Sequence, residues 1–540
     1  MRARRGPLAD SYPAAVALVV SALVPFLAVT AAIEPLSKLI GHDLHLGKAA
    51  LQLTTAMSDA GYAVGTVISV QLAQHLRQRR LLLVYVTLFV AAAIVAAWAP
   101  TRELFVGALV LEGLCTSLML IGAVPPLVIG FGADRVASTG VIMNLCIFGA
   151  VTAGPSLGGF EAGAHDWRTL FWAVAAIGLI AWLFALLTFE DQEPQDPDAP
   201  WDWIALALAA GGCVAAFFGA AELEIHAHAT TLALATLFAG IASVLALLVH
   251  QYREQNSLMP VEQLATTFPV FGILIALTAS SCAFGLMDLT LTAREQADPS
   301  HTAVLFLPEL GAAIVTAALF GLLFRTRFTP AYAATGLAVL GAAAALLTRV
   351  AQAGDLRILL ASGLLGLGVG AAVSPGLFIA GFSLSSAQIQ RVFALIELLR
   401  GVTAFLFAPV LLYLVGILSP HKAAGMSDAA WLCFGLCAAG LVGALLVWFG
   451  GGARLQTPDL ERWQEERRAG LGLAAAASAS ARAAAYRTRS RTLKRRLVGD
   501  QMRSSAPRLR RRVRRKTPSV PVTRACPAGF HTFLCSTSSR

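Results

Sequence analysis

Seven ionisable residues lie within or at the ends of long apolar stretches, where their side chains could carry out chemistry. An ionised side chain at the centre of a lipid bilayer costs at least about 2.5–3.5 kcal/mol, so those that are retained there usually serve a function. Burial also disfavours the charged form of a carboxyl group, which suits a group that takes up and releases a proton. The seven are Glu34, Asp59, Glu112, Asp288, Glu309, Glu397 and Arg400.

Asp59, Glu112 and Glu397 are, in that order, our candidates for proton coupling, because each lies deep within its run. Glu397 and Arg400 are three residues apart, so a helix places them on one face, where they can pair. This pair is either a buried structural ion pair or one that breaks and re-forms as Glu397 exchanges a proton. Asp288 and Glu309 could line a vestibule.

Glu34 precedes Pro35 at the end of the first apolar run. We interpret it as an interfacial residue.

The composition predicts an all-α integral membrane protein. Of the 540 residues, 57% are hydrophobic and 13% are charged, whereas a soluble chain carries about 25% charged residues. A helix needs roughly 20 mostly apolar residues to cross a bilayer. Fourteen runs approach or exceed this length: 13–33, 51–72, 81–99, 104–130, 138–158, 169–189, 202–221, 230–250, 268–292, 302–324, 330–348, 356–380, 388–418 and 428–450. The first run is too long for a cleaved signal peptide, so we expect it to remain as the first span.

Arginine and lysine are distributed unevenly between the predicted loops. With the N-terminus inside, eleven lie on the inner side and eight on the outer side. Cytoplasmic loops carry the excess of these residues, so we expect both termini to be cytoplasmic.

The sequence disfavours an enzyme and predicts no cofactor. It contains no Gly-x-x-x-x-Gly-Lys loop for phosphates, so an ATP-driven pump is not expected. Neither a nucleophile–base arrangement nor a set of ligands at metal-binding spacing stands out.

A string of small residues in the fifth run is the most specific motif. Gly154 and Gly158 are four residues apart and clear one helix face, which lets another backbone approach closely. Pro155 removes a backbone donor and makes the helix easier to bend there. The whole string comprises Gly149, Gly154, Pro155, Gly158 and Gly159. It resembles the fifth-helix motif of antiporters of the major facilitator superfamily.

Further stretches resemble the fourteen-span EmrB/QacA-type drug:proton antiporters over roughly residues 13–450. They are Trp167-Arg168-Thr-Leu-Phe171, Trp201-Asp202-Trp203 and Leu307-Pro308. The resemblance implies two pseudo-symmetric six-helix halves, 13–189 and 268–450, with a linker and two inserted helices in 190–267. Residues 1–12 would form a cytoplasmic arm and 451–540 a cytoplasmic tail.

The same resemblance implies proton-coupled export of hydrophobic or cationic small molecules by alternating access. Its setting would be the bilayer of the bacterial inner membrane. The protein would be monomeric, and pairing with a periplasmic adaptor protein is a property known within the family.

The sequence departs from the family pattern in three places. In the loop after the second helix the expected Gly and Asp are replaced, and the basic residues Arg77, Arg79 and Arg80 remain as the gating loop. The fourth-helix motif lacks its arginine and has Glu112 in place of glutamine, and Phe26 replaces an aspartate in the first helix. Two alternatives therefore stay open: a transporter of one specific metabolite, and a non-transporting scaffold or sensor with the same fold.

The C-terminal tail differs in charge from the rest of the chain. Residues 471–540 hold 17 Lys and Arg and one acidic residue, whereas the preceding residues hold 24 basic and 30 acidic ones. Such a segment cannot bury enough apolar surface to fold, so we expect disorder. It is either attracted to anionic lipid or nucleic acid or a poorly constrained extension. We favour the second interpretation and expect no nucleic-acid partner.

Overall fold

A computed structural model describes residues 6–455, except 190–193, 195–196, 198, 227–229, 255–256, 384–387 and 419–420. The basic tail from residue 456 and most of the acidic linker after residue 189 therefore lie outside the described residues. Fourteen long helices account for most of the remainder, as expected in lipid, where a helix satisfies its own backbone hydrogen bonds. They follow one another through short connections.

The first seven helices are α1 (Tyr12–Asp43), α2 (Lys48–His75), α3 (Gln78–Trp98), α4 (Arg102–Gly130), α5, α6 (Arg168–Thr188) and α7 (Trp203–Ile225). Helix α5 is continuous through Ala133–Asn144, a π-helical turn at Leu145–Gly149, and Ala150–Ala164. The other seven are α8 (Thr231–Arg253), α9 (Thr267–Ala293), α10 (Pro299–Leu323), α11 (Thr329–Leu347), α12 (Asp355–Gly381), α13 (Ile389–Leu418) and α14 (Lys422–Gly450).

Thirteen helices within the described residues are long and apolar enough to cross a membrane. The fourteenth, α2, has 28 residues and is the most polar of the long helices. The predicted all-α architecture of about fourteen spans is confirmed.

Two predicted boundaries are wrong. Helix α1 does not end near residue 33 but continues through Pro35 to Asp43. The segment predicted to be the loop after the second run is mostly helical, since α2 extends to His75 and α3 begins at Gln78.

The packing of α1–α6 recurs in α9–α14. Helix α2 packs on α4 as α10 packs on α12, α1 on α5 as α9 on α13, and α3 on α6 as α11 on α14. The two sets meet along α5–α10 and α2–α13, which are also equivalent pairs. This repeat confirms the two predicted pseudo-symmetric six-helix halves. The precise domain limits remain predictions.

Helices α7 and α8 form a closely packed hairpin. A Cβ atom on Gly219 would lie 2.7 Å from the Ala233 carbonyl oxygen, so the backbones touch. Asp202 caps α7 by accepting a hydrogen bond from Ala205 N at 2.9 Å, and Gln251 Nε2 of α8 donates to its other oxygen at 2.7 Å. Partial burial would raise the Asp202 pKa, but these bonds and His250 outweigh it and lower the pKa. The ionised Asp202 thus ties the start of α7 to the end of α8.

The glycine motif packs α5 between two helices. Cβ atoms on Gly154 and Gly158 would overlap the backbone of α1 at Ala31 and Ala32. A Cβ on Gly159 would lie 2.8 Å from the Pro299 carbonyl oxygen of α10. The small residues therefore allow close approach both within the first half and across to the second.

Replacing Gly158 with alanine should destabilise the protein by about 1–3 kcal/mol, the usual cost of overpacking a tight contact. Gly149→Ala is the matched control, because its Cβ would meet only the Leu145 side chain, 3.5 Å away on the same helix. Thermal unfolding in detergent should show a clearly lower midpoint for Gly158→Ala alone. Equal midpoints for the two variants would contradict this account of the motif.

Candidate functional site

A cavity lies among five helices, α1, α2, α7, α9 and α13. It encloses about 990 Å³ free of protein atoms, including its open mouth. The lining comes from the ends of these helices nearest the α1–α2 connection, so we call this the α1–α2 end of the bundle. The walls combine the aromatic residues Phe217, Phe284 and Phe405 with the ionisable residues Glu34, Lys48, Asp59, Glu224 and Asp288.

Asp59 is the most deeply buried carboxyl group in this cavity. Its side chain is 7% exposed, and its buried Oδ1 has no hydrogen-bond partner within the described residues. The guanidinium group of Arg400 is close enough to interact with it electrostatically. A buried oxygen without a partner is costly, and a bound proton or a bound cation would remove that cost.

Three further carboxyl groups share the cavity. Asp288 lines it, as does Glu34, so Glu34, which was interpreted as interfacial, lies in the wall of this cavity. The reason is the continuation of α1 past Pro35, which keeps Glu34 inside the bundle.

Glu224 of α7 was missed by the sequence analysis, and Gln52 Nε2 of α2 donates a hydrogen bond to it. The predicted seventh span ended at residue 221 because hydropathy falls there, whereas the helix runs to Ile225.

Glu397 and Arg400 form the predicted ion pair at the contact between the two halves. Arg400 Nη2 lies 2.7 Å and Nε 2.8 Å from Glu397 Oε2, and both residues are 1% exposed. Tyr62 of α2 joins them: its hydroxyl donates to Glu397 Oε2 at 3.1 Å and accepts from Arg400 Nη2 at 3.2 Å. Phe148 and Phe405 also face the guanidinium group, 6.0 Å and 5.8 Å from it.

Glu112 and Glu309 lie outside this arrangement. Glu112 on α4 is fully buried, and neither of its carboxyl oxygens has a hydrogen-bond partner within the described residues. It does not line the cavity. Glu309 on α10 faces a smaller cavity, which it shares with Phe284 and Met287 of the main one. The structure thus brings Asp59, Asp288, Glu397 and Arg400 around one region and leaves the other two predicted acids apart.

The predicted gating residues are near the opposite, α2–α3 end. Arg77 immediately precedes α3, and Arg79 and Arg80 lie in its first turn. Arg79 Nη2 donates to the Leu186 carbonyl oxygen of its own half at 2.9 Å. The neighbouring Gln78 contacts the second half, since its Nε2 donates to Gln390 Oε1 at 3.2 Å.

Aromatic rings pack together at the same end. The centroids of neighbouring rings are 5.4–6.4 Å apart. The cluster comes from α10, α12, the residue directly after each of these two helices, and α13: Phe320, Phe324, Phe378, Phe382 and Phe393. Asn144 of α5 adds a polar contact between the halves, accepting from Ser374 Oγ at 2.8 Å and donating to Gly370 O at 3.1 Å. The Asn144 contacts hold the halves together on the side away from the cavity, whereas the aromatic cluster lies within the second half.

Comparison with known proteins agrees with this architecture. The family profile of the Major Facilitator Superfamily matches residues 14–408. The drug efflux pump JefA of Mycobacterium tuberculosis is 24% identical over 270 residues, 49% of this chain and 53% of JefA. The tetracenomycin C resistance and export protein of Streptomyces glaucescens is 24% identical over 294 residues, 54% of each chain. The chain spans about half the length of the relatives that it matches.

Solved structures share the fold at low identity. The human organic anion transporter MFSD10 superposes with a TM-score of 0.57 at 13% identity, covering 79% of this chain and 99% of that one. A peptide transporter POT in complex with sulfate also has a TM-score of 0.57, at 16% identity, covering 80% and 94%.

Replacing Arg400 with methionine should destabilise the protein by about 3–5 kcal/mol, because a buried carboxylate loses its partner. The double variant Glu397→Gln, Arg400→Met should be less destabilised than Arg400→Met alone, since no unpaired charge remains. Unfolding by denaturant in detergent, with Glu397→Gln completing the cycle, measures the coupling. Simple additivity of the two single effects would contradict a direct interaction.

Proposed function

The chain belongs to the Major Facilitator Superfamily, and we propose that it is a proton-coupled secondary transporter that exports hydrophobic or cationic small molecules. Transport follows from the family, and the drug efflux and resistance relatives favour export. The two halves would rock about the cavity and expose it to each side in turn.

One observation carries the proposal: the Asp59 carboxyl group has a buried oxygen with no hydrogen-bond partner among the described residues, in a cavity walled by phenylalanine rings. A proton and an organic cation would each neutralise this group, so they compete for it. That competition is the requirement for exchanging one against the other. The rings supply apolar area and π faces, which attract the body of an aromatic cation.

Arg400 would connect this competition to the contact between the halves. When Asp59 loses its proton, its charge attracts the Arg400 guanidinium, which also holds Glu397 and the Tyr62 hydroxyl of the other half. Occupancy of Asp59 therefore alters the strength of the α2–α13 contact. Glu397 accepts hydrogen bonds from Arg400 and Tyr62 in this network. We therefore assign the exchanging proton to Asp59 ahead of Glu397 and Glu112.

The remaining assignments rest on the family and on the sequence. The protein would lie in the bacterial inner membrane as a monomer with both termini cytoplasmic, so the cavity would face the outer side and the aromatic cluster the cytoplasm. An adaptor protein in the periplasm is a further partner known from the family. The halves would comprise residues 13–189 and 268–450.

In proteoliposomes with an imposed pH gradient, ethidium should trigger proton movement through the wild type. Asp59→Asn should reduce this coupled flux at least about tenfold, as expected for losing a contact worth about 1.5–3 kcal/mol. Exchange of labelled for unlabelled ethidium without a gradient should fall less than the coupled flux, because the cation loses one contact but the exchange needs no proton.

Glu112→Gln is the matched control, since it also neutralises a buried acid but one outside the cavity. It should retain coupled flux. Loss of flux in Glu112→Gln with retention in Asp59→Asn would reverse our assignment. Folded wild type that moves neither protons nor any of a panel of dyes and metabolites would favour the scaffold or sensor.

A further inference from the structure

The inserted helix α7 packs against both halves of the transporter. Its neighbours are α2 of the first half and α13 of the second, in addition to its hairpin partner α8. It therefore covers the junction where these two helices meet beside the cavity. The lining of the cavity consequently includes residues that do not belong to either six-helix half.

One face of α7 is directed at the cavity. Phe217, Ala220, Ala221 and Glu224 all line it, and their spacing of three, four and seven residues is that of a single helix face. Another part of the helix, at Gly212 and Gly219, packs closely on α8. The packing on α8 thus fixes the rotation of α7 and keeps Glu224 directed inward.

Glu224 is held in place from the first half. Gln52 Nε2 of α2 donates to its Oε1. Lys48 and Glu34 are its charged neighbours, and it also acts electrostatically on Asp288. The cavity lining has four acids and one lysine, so the acids offer negative charge to a cationic ligand once they release their protons. Asp59 Oδ1 in the same cavity, which has no hydrogen-bond partner within the described part of the chain, independently indicates a site for a group that brings a proton or a positive charge.

We propose that Glu224 is a specificity-determining residue, through which the inserted helix contacts the cationic group of the substrate. Phe217, about two turns deeper on α7, contacts the substrate's aromatic body. Asp59 exchanges the proton, whereas Glu224 selects cations over neutral molecules of the same size. This inference rests on the proposed transport of organic cations, but its test measures binding and needs no flux.

The experiment compares equilibrium binding of ethidium, a cation, and Nile red, a neutral dye, to the purified protein in detergent. Glu224→Gln should weaken ethidium binding about ten- to hundredfold, as expected for losing a hydrogen-bonded charge contact. Nile red affinity should change less than about twofold. Glu224→Asp should recover part of the ethidium affinity.

Glu222→Gln is the matched control, because Glu222 lies two residues away on the same helix, outside the cavity lining, beside His226. It should bind both dyes as the wild type does. Unchanged ethidium binding in Glu224→Gln, or an equal loss for both dyes, would overturn the role of Glu224. Wild type that binds ethidium through Glu224 yet moves no protons would instead refute the transport proposal and leave this one standing.

Discussion

The centre of the bundle is organised around the buried guanidinium group of Arg400. A charge so completely removed from water is tolerated only with close partners, and here they come from both halves. Glu397 lies on its own helix, the Tyr62 hydroxyl comes from α2, and the Phe148 ring comes from α5. The charge thus fixes how α2 and α13 meet, and through that contact it fixes one wall of the cavity. Asp59 is on α2, one turn before Tyr62, which is why its carboxyl group faces the cavity within the field of the same cation.

Close backbone packing provides the geometry that this charge requires. The glycines of α5 bring it against α1 and α10, and those of α2 bring it against α4: a Cβ on Gly61 would lie 3.0 Å from the Val110 carbonyl oxygen. In lipid, where apolar burial does not favour association, such contacts supply much of the attraction between helices. They also hold α2 at the depth and rotation at which Tyr62 reaches Glu397.

The sequence predicted which residues lie deep in the membrane better than it predicted which way their side chains point within the bundle. Apolar runs predicted fourteen helices, and the three-residue spacing predicted the pairing of Glu397 with Arg400, because both signals are local. Tyr62 could not be identified as the third partner, since it is 335 residues from Glu397 in the chain.

Hydropathy placed Asp59 and Glu112 equally deep, but only packing directs the Asp59 side chain into the cavity. Glu224 was missed and Glu34 was interpreted as interfacial because each lies near the end of an apolar run, although both helices continue beyond it.

The four cavity acids are divided between the two halves. This division gives a physical basis for a change in the affinity of the cavity for a cation if the halves rock. Helix α7 packs more extensively on α2 than on α13, and Gln52 of α2 holds Glu224. If the halves rock, α7 therefore moves with the first half, and Glu34, Asp59 and Glu224 stay together. Asp288, on α9, moves with the second half. Rocking that separates Asp288 from the other three reduces the negative charge around a bound cation, so the cation is held less tightly after the movement.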